Sequence, residues 1–318
     1  GVAATSFSGS GLSAPFDWKD GTFPGTGGDC TATLAASAQC SIVVSFAPGS
    51  TGAYADTIQI GFNDGTPTPK SATRDVSGDG ANLAIISVSD GPSYDYGQEA
   101  VGANVDFTFT LTNTGDVPAT SMNGQGLLAP FTYSGGGYPG TGGTCAVTLA
   151  PSASCTIVVR FSPNGTGTVS DDIDIVYNNG QASVSSQRTV DGEGITPASL
   201  SIAVVNTDSF NWGTRAVGSS TNMTYEITND GDADATNIAA TAFLNEFSFQ
   251  DGTYPGTGGD CGATLAGGSS TCTVVVSWDP TSTGSQLSTL RLDYENGTHN
   301  TTPTALTVNL QVGVQGFA

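Results

Sequence analysis

The sequence predicts an all-β protein built from tandem β-sandwiches, and three observations lead to that prediction. One block of sequence occurs three times, at residues 23–40, 138–155 and 254–272, with the copies 115 and 116 residues apart. A fixed period of this length is typical of a tandem array of one domain. Residues 156–161 and 172–177 cluster or alternate β-branched and aromatic side chains, as strands do. Only 11% of the 318 residues are charged, and no long Ala/Glu/Lys/Leu stretch favours a helix.

The middle copy shows the predicted strand order most completely, and its residues 82–196 are called unit 2. Turn residues such as those at 113–116 separate its short runs at close spacing, which is typical of a β-sandwich. We expect the segments after the glycine-rich stretch, 145–149 and 155–161, to form a hairpin. The other predicted strand segments are 83–88, 94–97, 105–112, 119–122, 130–133, 169–177 and 182–190.

Residues 197–318, called unit 3, repeat this plan, and residues 1–81, called unit 1, lack its beginning. The joints at 78–80 and 191–194 are short, which predicts a semi-rigid rod. Residues 1–5 of unit 1 align with 116–120, so unit 1 has no counterpart of the opening strands of unit 2. Such a sandwich would expose apolar inner faces and a bare strand edge. Two alternatives stay open: the chain is a fragment of a longer array, or another chain supplies the strands.

A strand-like tail at the end of unit 3 bears on this second alternative. Residues 306–316 continue where the earlier units end in Gly-Asp-Gly or Gly-Glu-Gly. The alternating Leu310, Val312 and Val314 form a candidate donor strand that would fill the groove of unit 1 in a neighbouring copy. Because such an exchange is heterologous, repetition would generate an open filament.

Six cysteines form one pair in each unit, and the repeat predicts local disulfides. The pairs are Cys30 with Cys40, Cys145 with Cys155 and Cys261 with Cys272. Paired cysteines without metal-binding motifs indicate an oxidising compartment. We interpret each pair as pinning a surface hairpin, with a loop of about ten residues that stabilises its unit by roughly 2–3 kcal/mol.

The glycine-rich stretch before each first cysteine is predicted to be a compact turn locked by the disulfide. A phosphate-binding loop is excluded because no Lys follows the glycines and no helix is expected there. Contact with a glycan or a protein partner is the alternative. The candidate contact residues are Pro24, Gly25, Pro139, Gly140, Pro255 and Gly256.

Charge and composition exclude several other functions. The net charge is −21, with only seven Lys and Arg, so nucleic acid is not an expected partner. No transmembrane run is present, and we expect no direct membrane insertion by this chain. We expect no cofactor. Ca²⁺ between domains is an alternative, but the Asp-x-Asp-x-Asp spacing at 230–234 lacks the Glu of a calcium loop. The single His299 stands in no catalytic motif, so we predict that the protein is not an enzyme.

The order of aromatic-Gly, Val-Gly, Leu-Thr-Asn-Thr-Gly-Asp and Pro-Gly-Thr-Gly-Gly-x-Cys resembles that in bacterial choice-of-anchor D surface proteins. Their repeats are similar to immunoglobulin-like domains of the abnormal-spindle/hydin type. This resemblance implies an extracellular or cell-surface location and a non-catalytic structural role, as a stalk, adhesin shaft or fibre subunit. The expected partners are other copies of the chain or neighbouring surface proteins. The alternative is a ligand- or glycan-binding module of a secreted protein, with Trp18, Tyr133 and Phe249 as an exposed aromatic platform.

Overall fold

A computed structural model describes residues 1–205, 210–241, 243–299 and 304–311, except for the side chains of 306–311. The described residues are all-β apart from three short 3-10 turns, Lys19–Gly21, Ser134–Gly136 and Gln250–Gly252. The predicted fold class is therefore confirmed, while the unit boundaries at 81 and 196 stay predictions.

Unit 2 is a complete two-sheet sandwich. The strands are β7 Ile86–Val88, β8 Ser93–Ala100, β9 Val105–Asn113, β10 Ala119–Gln125, β11 Phe131–Tyr133, β12 Thr148–Leu149, β13 Ser154–Phe161, β14 Gly167–Asn178 and β15 Ser183–Ile195. One sheet has the order β12-β10-β14-β15-β8 and the other β11-β13-β9-β7. The edge strand β8 runs parallel to β15, and the other neighbouring strands are antiparallel.

The core of unit 2 lies between these sheets and consists of the alternate apolar residues of the long strands. Ile157, Val159 and Phe161 of β13 are fully buried, as are Ile173 and Ile175 of β14. The period of two in strand side chains places all of them on the inner faces. The apolar alternation in the sequence therefore marks the core correctly.

The described strands of unit 3 are β16 Leu200–Val204, β17 Thr221–Asn229, β18 Thr236–Ala240, β19 Phe247–Phe249, β20 Ser270–Trp278, β21 Leu287–Glu295 and β22 Thr304–Gln311. They form two sheets, β16-β17-β20-β19 and β18-β21-β22, as in unit 2. A second buried core centred on Trp212, Tyr225 and Ile227 fills this sandwich.

Residues 1–81, unit 1, form two smaller sheets. The strands are β1 Ala4–Ser10, β2 Phe16–Trp18, β3 Thr33–Leu34, β4 Val44–Phe46, β5 Gly52–Asn63 and β6 Lys70–Gly80. One sheet has the order β3-β1-β5-β6, and the other pairs β2 with β4. No described strand takes the places that β7, β8 and β9 hold in unit 2.

Two buried asparagines close the turns that follow β9 and β17. The side chain of Asn113 accepts hydrogen bonds from the backbone N–H groups of Ile85 and Gly115, and it donates to the carbonyls of Val117 and Leu149. Asn229 makes the equivalent hydrogen bonds in unit 3. A buried amide with partners for donors and acceptors fixes the local chain path. The sequence suggested only a turn here.

One detail of the sequence interpretation is wrong. The predicted hairpin of 145–149 with 155–161 does not form, because β12 pairs with β10 in one sheet and β13 joins β9 and β11 in the other. Residues 191–194, predicted as a joint between units, lie in β15. Gly192 lies over the buried ring of Phe161, since a β-carbon on this glycine would come within 2.8 Å of that ring.

Candidate functional site

The three glycine-rich stretches form equivalent loops that cover one edge of β13, of β20 and of residues 41–43 before β4. In each, the carbonyl of the proline accepts a hydrogen bond of 2.8 Å from the strand, donated by Val43, Val158 and Val275. A β-carbon on Gly140 would lie 2.2 Å from the carbonyl oxygen of Val158, and its φ is +89°. Only glycine therefore fits at this position. The loops protect strand edges that would otherwise be open.

The same geometry decides which loop residues face solvent. Gly25, Gly140 and Gly256 are buried and the prolines before them are half-buried, whereas the following Thr-Gly pairs are exposed. Contact through these loops stays a prediction. A partner would meet the exposed tips, which are Thr26–Gly27, Thr141–Gly142 and Thr257–Gly258.

All three predicted disulfides are present, but they do not pin hairpins. They join Cys30 with Cys40, Cys145 with Cys155 and Cys261 with Cys272. In unit 2 the backbone N–H of Cys145 donates to the carbonyl of Thr156 in β13, and the chain then crosses to β12 in the opposite sheet. Each disulfide therefore closes a loop in which the chain crosses to the opposite sheet and returns.

The aromatic residues proposed as a ligand platform are buried. Trp18, Tyr133 and Phe249 are each less than a tenth exposed. A β-carbon on Gly124 of β10 would come within 2.6 Å of the rings of Tyr133 and Tyr138. Burial also raises the pKa of Tyr138 to about 12. Trp18, Tyr133 and Phe249 pack in the interior of their units, so the expectation of an exposed aromatic platform is wrong.

No described strand pairs with β4 of unit 1 on the side where β9 pairs with β13 in unit 2. The carbonyl of Ser41 accepts from Cys30, and the N–H of Val43 donates to Pro24, so these groups face the loop. Alternate residues of a strand direct their backbone groups to opposite sides. The backbone groups of Ile42, Val44 and Phe46 therefore face the side on which β13 binds β9 in unit 2.

Units 2 and 3 meet through a turn and a hairpin loop. The turn after β8, Glu99–Gly102, is called the distal turn of unit 2, and the loop after β21, 295–299, the proximal hairpin of unit 3. A β-carbon on Gly297 would lie 3.2 Å from Cβ of Ala100, and one on Gly102 would lie 3.9 Å from the methyl of Thr298. Nδ1 of His299 is 4.0 Å from Oε2 of Glu99. Burial raises the pKa of Glu99, and His299 acts in the opposite direction.

Acidic side chains surround a cavity of about 410 Å³ at this junction. Glu99 lines it from unit 2, and Asp232, Asp234 and Glu295 line it from unit 3. Asp232 and Asp234 accept hydrogen bonds from Thr196 and Gly267, respectively. Among the described residues, no three or more His, Cys, Asp or Glu side chains are arranged to hold a metal ion.

The candidate donor strand is only partly described. The backbone of Leu310 lies in β22, opposite Ser288 of its own unit, and Val312 and Val314 lie outside the described residues. Strand donation stays a prediction. No helix in the described ranges is long and apolar enough to cross a membrane.

The fold and its repeated loops define a tandem array of immunoglobulin-like β-sandwiches, a class of structural or binding module. Residues 84–193 match the family described as HYDIN/CFA65/VesB-like, Ig-like domain, and residues 197–304 match CARDB. Both matches confirm the immunoglobulin-like resemblance. Domains of this kind are typically non-enzymatic, and the CARDB match together with the disulfides is typical of a secreted or surface protein.

Solved structures that the chain matches include the VesB protease of Vibrio cholerae, which is 19% identical with a TM-score of 0.29. The match covers 34% of this chain and 31% of that protease. Domains 3–6 of protocadherin gamma B2 are 10% identical over 98% of this chain and 68% of that chain, with a TM-score of 0.34. A PapD-like domain of human CEP192 is 14% identical over 36% of this chain and 87% of that chain, with a TM-score of 0.26. The search of curated proteins gives no match.

Proposed function

We propose that this chain is a non-enzymatic, extracellular structural protein of a bacterial surface, forming part of a stalk, adhesin shaft or fibre. The observation that carries the proposal is the junction between units 2 and 3. There β15 runs to Ile195, only a short segment precedes β16, and the distal turn of unit 2 rests on the proximal hairpin of unit 3. A direct connection with side-chain contact on both sides favours a stiff rod.

Small-angle X-ray scattering of the purified chain tests this shape. The 13-residue strand β15 spans about 40 Å, so three units in line would give a maximum dimension of roughly 120 Å. A Gly-Ser insertion between Ile195 and Thr196 is the matched control and should broaden the distribution of distances. A maximum dimension below about 90 Å for the unmodified chain would refute the rod.

The location is tested by labelling intact cells of the source bacterium with an antibody against the chain. Labelling without permeabilisation is the expected result, since disulfides persist in oxidising compartments. Labelling only after lysis, with free thiols in the isolated protein, would contradict the proposal.

The ligand-binding alternative is weakened because its aromatic candidates lie in the core. The partners that we propose are other copies of the chain or neighbouring surface proteins, and neither nucleic acid nor the lipid bilayer. His299→Ala should leave surface attachment and every binding readout unchanged. A hydrolytic or transfer activity that is lost in this variant would contradict the non-enzymatic assignment.

A further inference from the structure

Four Asn-Gly pairs occur in the chain, and each is a candidate for a spontaneous reaction of the asparagine side chain. They are Asn123–Gly124, Asn164–Gly165, Asn179–Gly180 and Asn296–Gly297. In such a pair the backbone nitrogen of the glycine can attack Cγ of the asparagine, because glycine has no β-carbon in the way and its backbone rotates easily. The fold determines whether that approach is open at a given pair.

Two of the pairs are held by hydrogen bonds within unit 2. Asn123 and Gly124 lie in β10, where both pair with residues of β14. Oδ1 of Asn179 accepts hydrogen bonds from two backbone N–H groups, at 3.0 and 2.9 Å, and the N–H of Gly180 donates to the side chain of Asn178 at 2.8 Å. Because hydrogen-bonded groups keep their orientation, neither glycine nitrogen can turn towards Cγ without local unfolding.

A third pair is held at the contact between units 2 and 3. Oδ1 of Asn296 accepts hydrogen bonds from the N–H and the hydroxyl of Thr298, at 3.2 and 2.7 Å. A β-carbon on Gly297 would lie 3.2 Å from the Cβ atoms of Ala100 and Ala233. Rotation of this pair would therefore break its hydrogen bonds and disturb a contact between two units.

Asn164–Gly165 has none of these restraints. Both residues lie between β13 and β14 and are exposed. In the part of the chain that the structure describes, no hydrogen bond involves the side chain of Asn164 or the N–H of Gly165. A β-carbon on Gly165 would meet nothing within 4 Å. The glycine nitrogen therefore has room to approach Cγ in the folded protein.

This exposed pair lies next to the junction between units 2 and 3. The carbonyl of Pro163 accepts a hydrogen bond of 2.9 Å from the distal turn of unit 2. Thr166 lines a cavity of about 520 Å³ together with Glu193 of unit 2 and with Asp232 and Asp234 of unit 3. A carboxylate at position 164 would add negative charge close to these acidic side chains.

We propose that Asn164 is a modification site, at which the side-chain amide is lost spontaneously in the folded protein. The nitrogen of Gly165 gives its proton to a solvent base and forms a bond to Cγ. The bond from Cγ to Nδ2 breaks, and ammonia leaves. Water then opens the cyclic imide: cleavage at Cγ gives aspartate, and cleavage at the main-chain carbonyl gives isoaspartate. The net reaction consumes water and releases ammonia, and it does not depend on the proposed structural function.

Incubation of the full, disulfide-bonded chain in mildly alkaline water enriched in oxygen-18 tests the proposal. Mass spectrometry of proteolytic fragments should show the label at position 164, in both aspartate and isoaspartate. The amides of Asn123, Asn179 and Asn296 should persist. The reduced and unfolded chain is the reference. All four pairs should take up label there, because the contacts that hold three of them are lost.

Gly165→Ala is the matched variant, since a β-carbon fits at this position and hinders the attack on Cγ. It should lose most of the label at position 164 in the folded chain and leave the other three pairs unchanged. Equal labelling of all four pairs in the folded chain would overturn the inference, as would label at position 164 only after unfolding. A glycan on Asn164 in protein from the source organism would also overturn it, since Asn164-Gly-Thr166 matches the acceptor pattern for N-glycosylation.

Discussion

Units 1 and 2 contain nearly the same loop and strand residues but bury them to different extents. Phe46 and Phe161 occupy equivalent positions, and each lies under a glycine of the strand that ends the unit, Gly78 and Gly192. Phe161 is fully buried, whereas Phe46 is only half-buried. The contact with the glycine is the same in both units. In unit 2, Tyr96 of β8 packs against Phe161, and β9 pairs with the strand that carries this ring, whereas no described strand takes the place of β8 or β9 beside Phe46.

Two further positions follow this contrast. Arg188 donates hydrogen bonds to the carbonyls of Ser89 and Pro92, in the connection between β7 and β8. Its counterpart Arg74 is exposed. Tyr177 accepts a hydrogen bond of 3.1 Å from the N–H of Ile86, and unit 1 has Phe62 at that position. Similar sequences thus give different energetic roles when the facing strands differ.

The largest expected difference in stability between units 1 and 2 is at the equivalent residues Phe46 and Phe161. Phe161→Ala should destabilise unit 2 by about 3–5 kcal/mol, because it leaves a cavity in a packed core. Phe46→Ala should cost unit 1 about 1–2 kcal/mol, since less apolar surface is lost from a half-buried site. Hydrogen exchange resolved by unit measures both effects in the full chain, with unit 3 as the internal control. Equal losses in the two units would show that β8 and β9 do not determine the energetic role of this ring.

A smaller difference in stability is expected when the equivalent residues Arg188 and Arg74 are changed. Arg188→Met should lower the stability of unit 2 by about 2–3 kcal/mol, because carbonyls that accept from a charged group lose their donor. Arg74→Met should change unit 1 by less than about 0.5 kcal/mol. Urea unfolding followed by exchange of the β7–β8 connection reports the first effect. If both variants behave alike, the hydrogen bonds of Arg188 contribute nothing to stability.

Substitution of the tyrosine that bonds to β7 should lower the free energy of unfolding by about 1 kcal/mol. Tyr177→Phe removes the acceptor of the buried Ile86 N–H and should destabilise unit 2 by that amount. Tyr294→Phe should act equally on unit 3, where Tyr294 accepts from Leu200. The reverse change, Phe62→Tyr, should leave unit 1 unaltered, because no described strand of unit 1 takes the place of β7, whose Ile86 N–H donates to Tyr177 in unit 2. A stabilised unit 1 would contradict this account.

The smallest contrast is a difference in acid sensitivity between the glycine loops. Asp29 in unit 1 accepts hydrogen bonds from the N–H and hydroxyl of Ser41, which hold the pKa of its carboxyl below the ordinary 3.8. Unit 2 has Thr144 at this position, which does not titrate. A carboxyl with a lowered folded-state pKa stabilises the fold above its unfolded pKa, and this contribution is lost as the pH falls through the folded-state pKa.

Amide exchange at Ser41 and Thr156 between pH 5 and pH 2, corrected for intrinsic rates, tests this difference. Protection of Ser41 should fall below about pH 3.8, while protection of Thr156 should not. Asp29→Thr should make the loop of unit 1 as insensitive to acid as that of unit 2. A parallel decline at both amides would assign the acid response to the sandwich as a whole.

The sequence alone determined the repeat, the all-β class, the disulfide partners and the alternation that marks the inner faces. These properties depend on local periodicity and on near neighbours in the chain. The alignment of the three copies also placed residues 1–5 opposite residues 116–120 of unit 2.

Only the tertiary structure decided which strands share a sheet and which aromatic rings are buried. The placement of β12 opposite β10 depends on residues about thirty positions away, and the burial of Tyr133 depends on the missing side chain of Gly124. Likewise, the contact of Gly297 with Ala100 joins residues of different units. Strand pairing and packing are set by contacts between distant parts of the chain, which a local pattern of side chains does not specify.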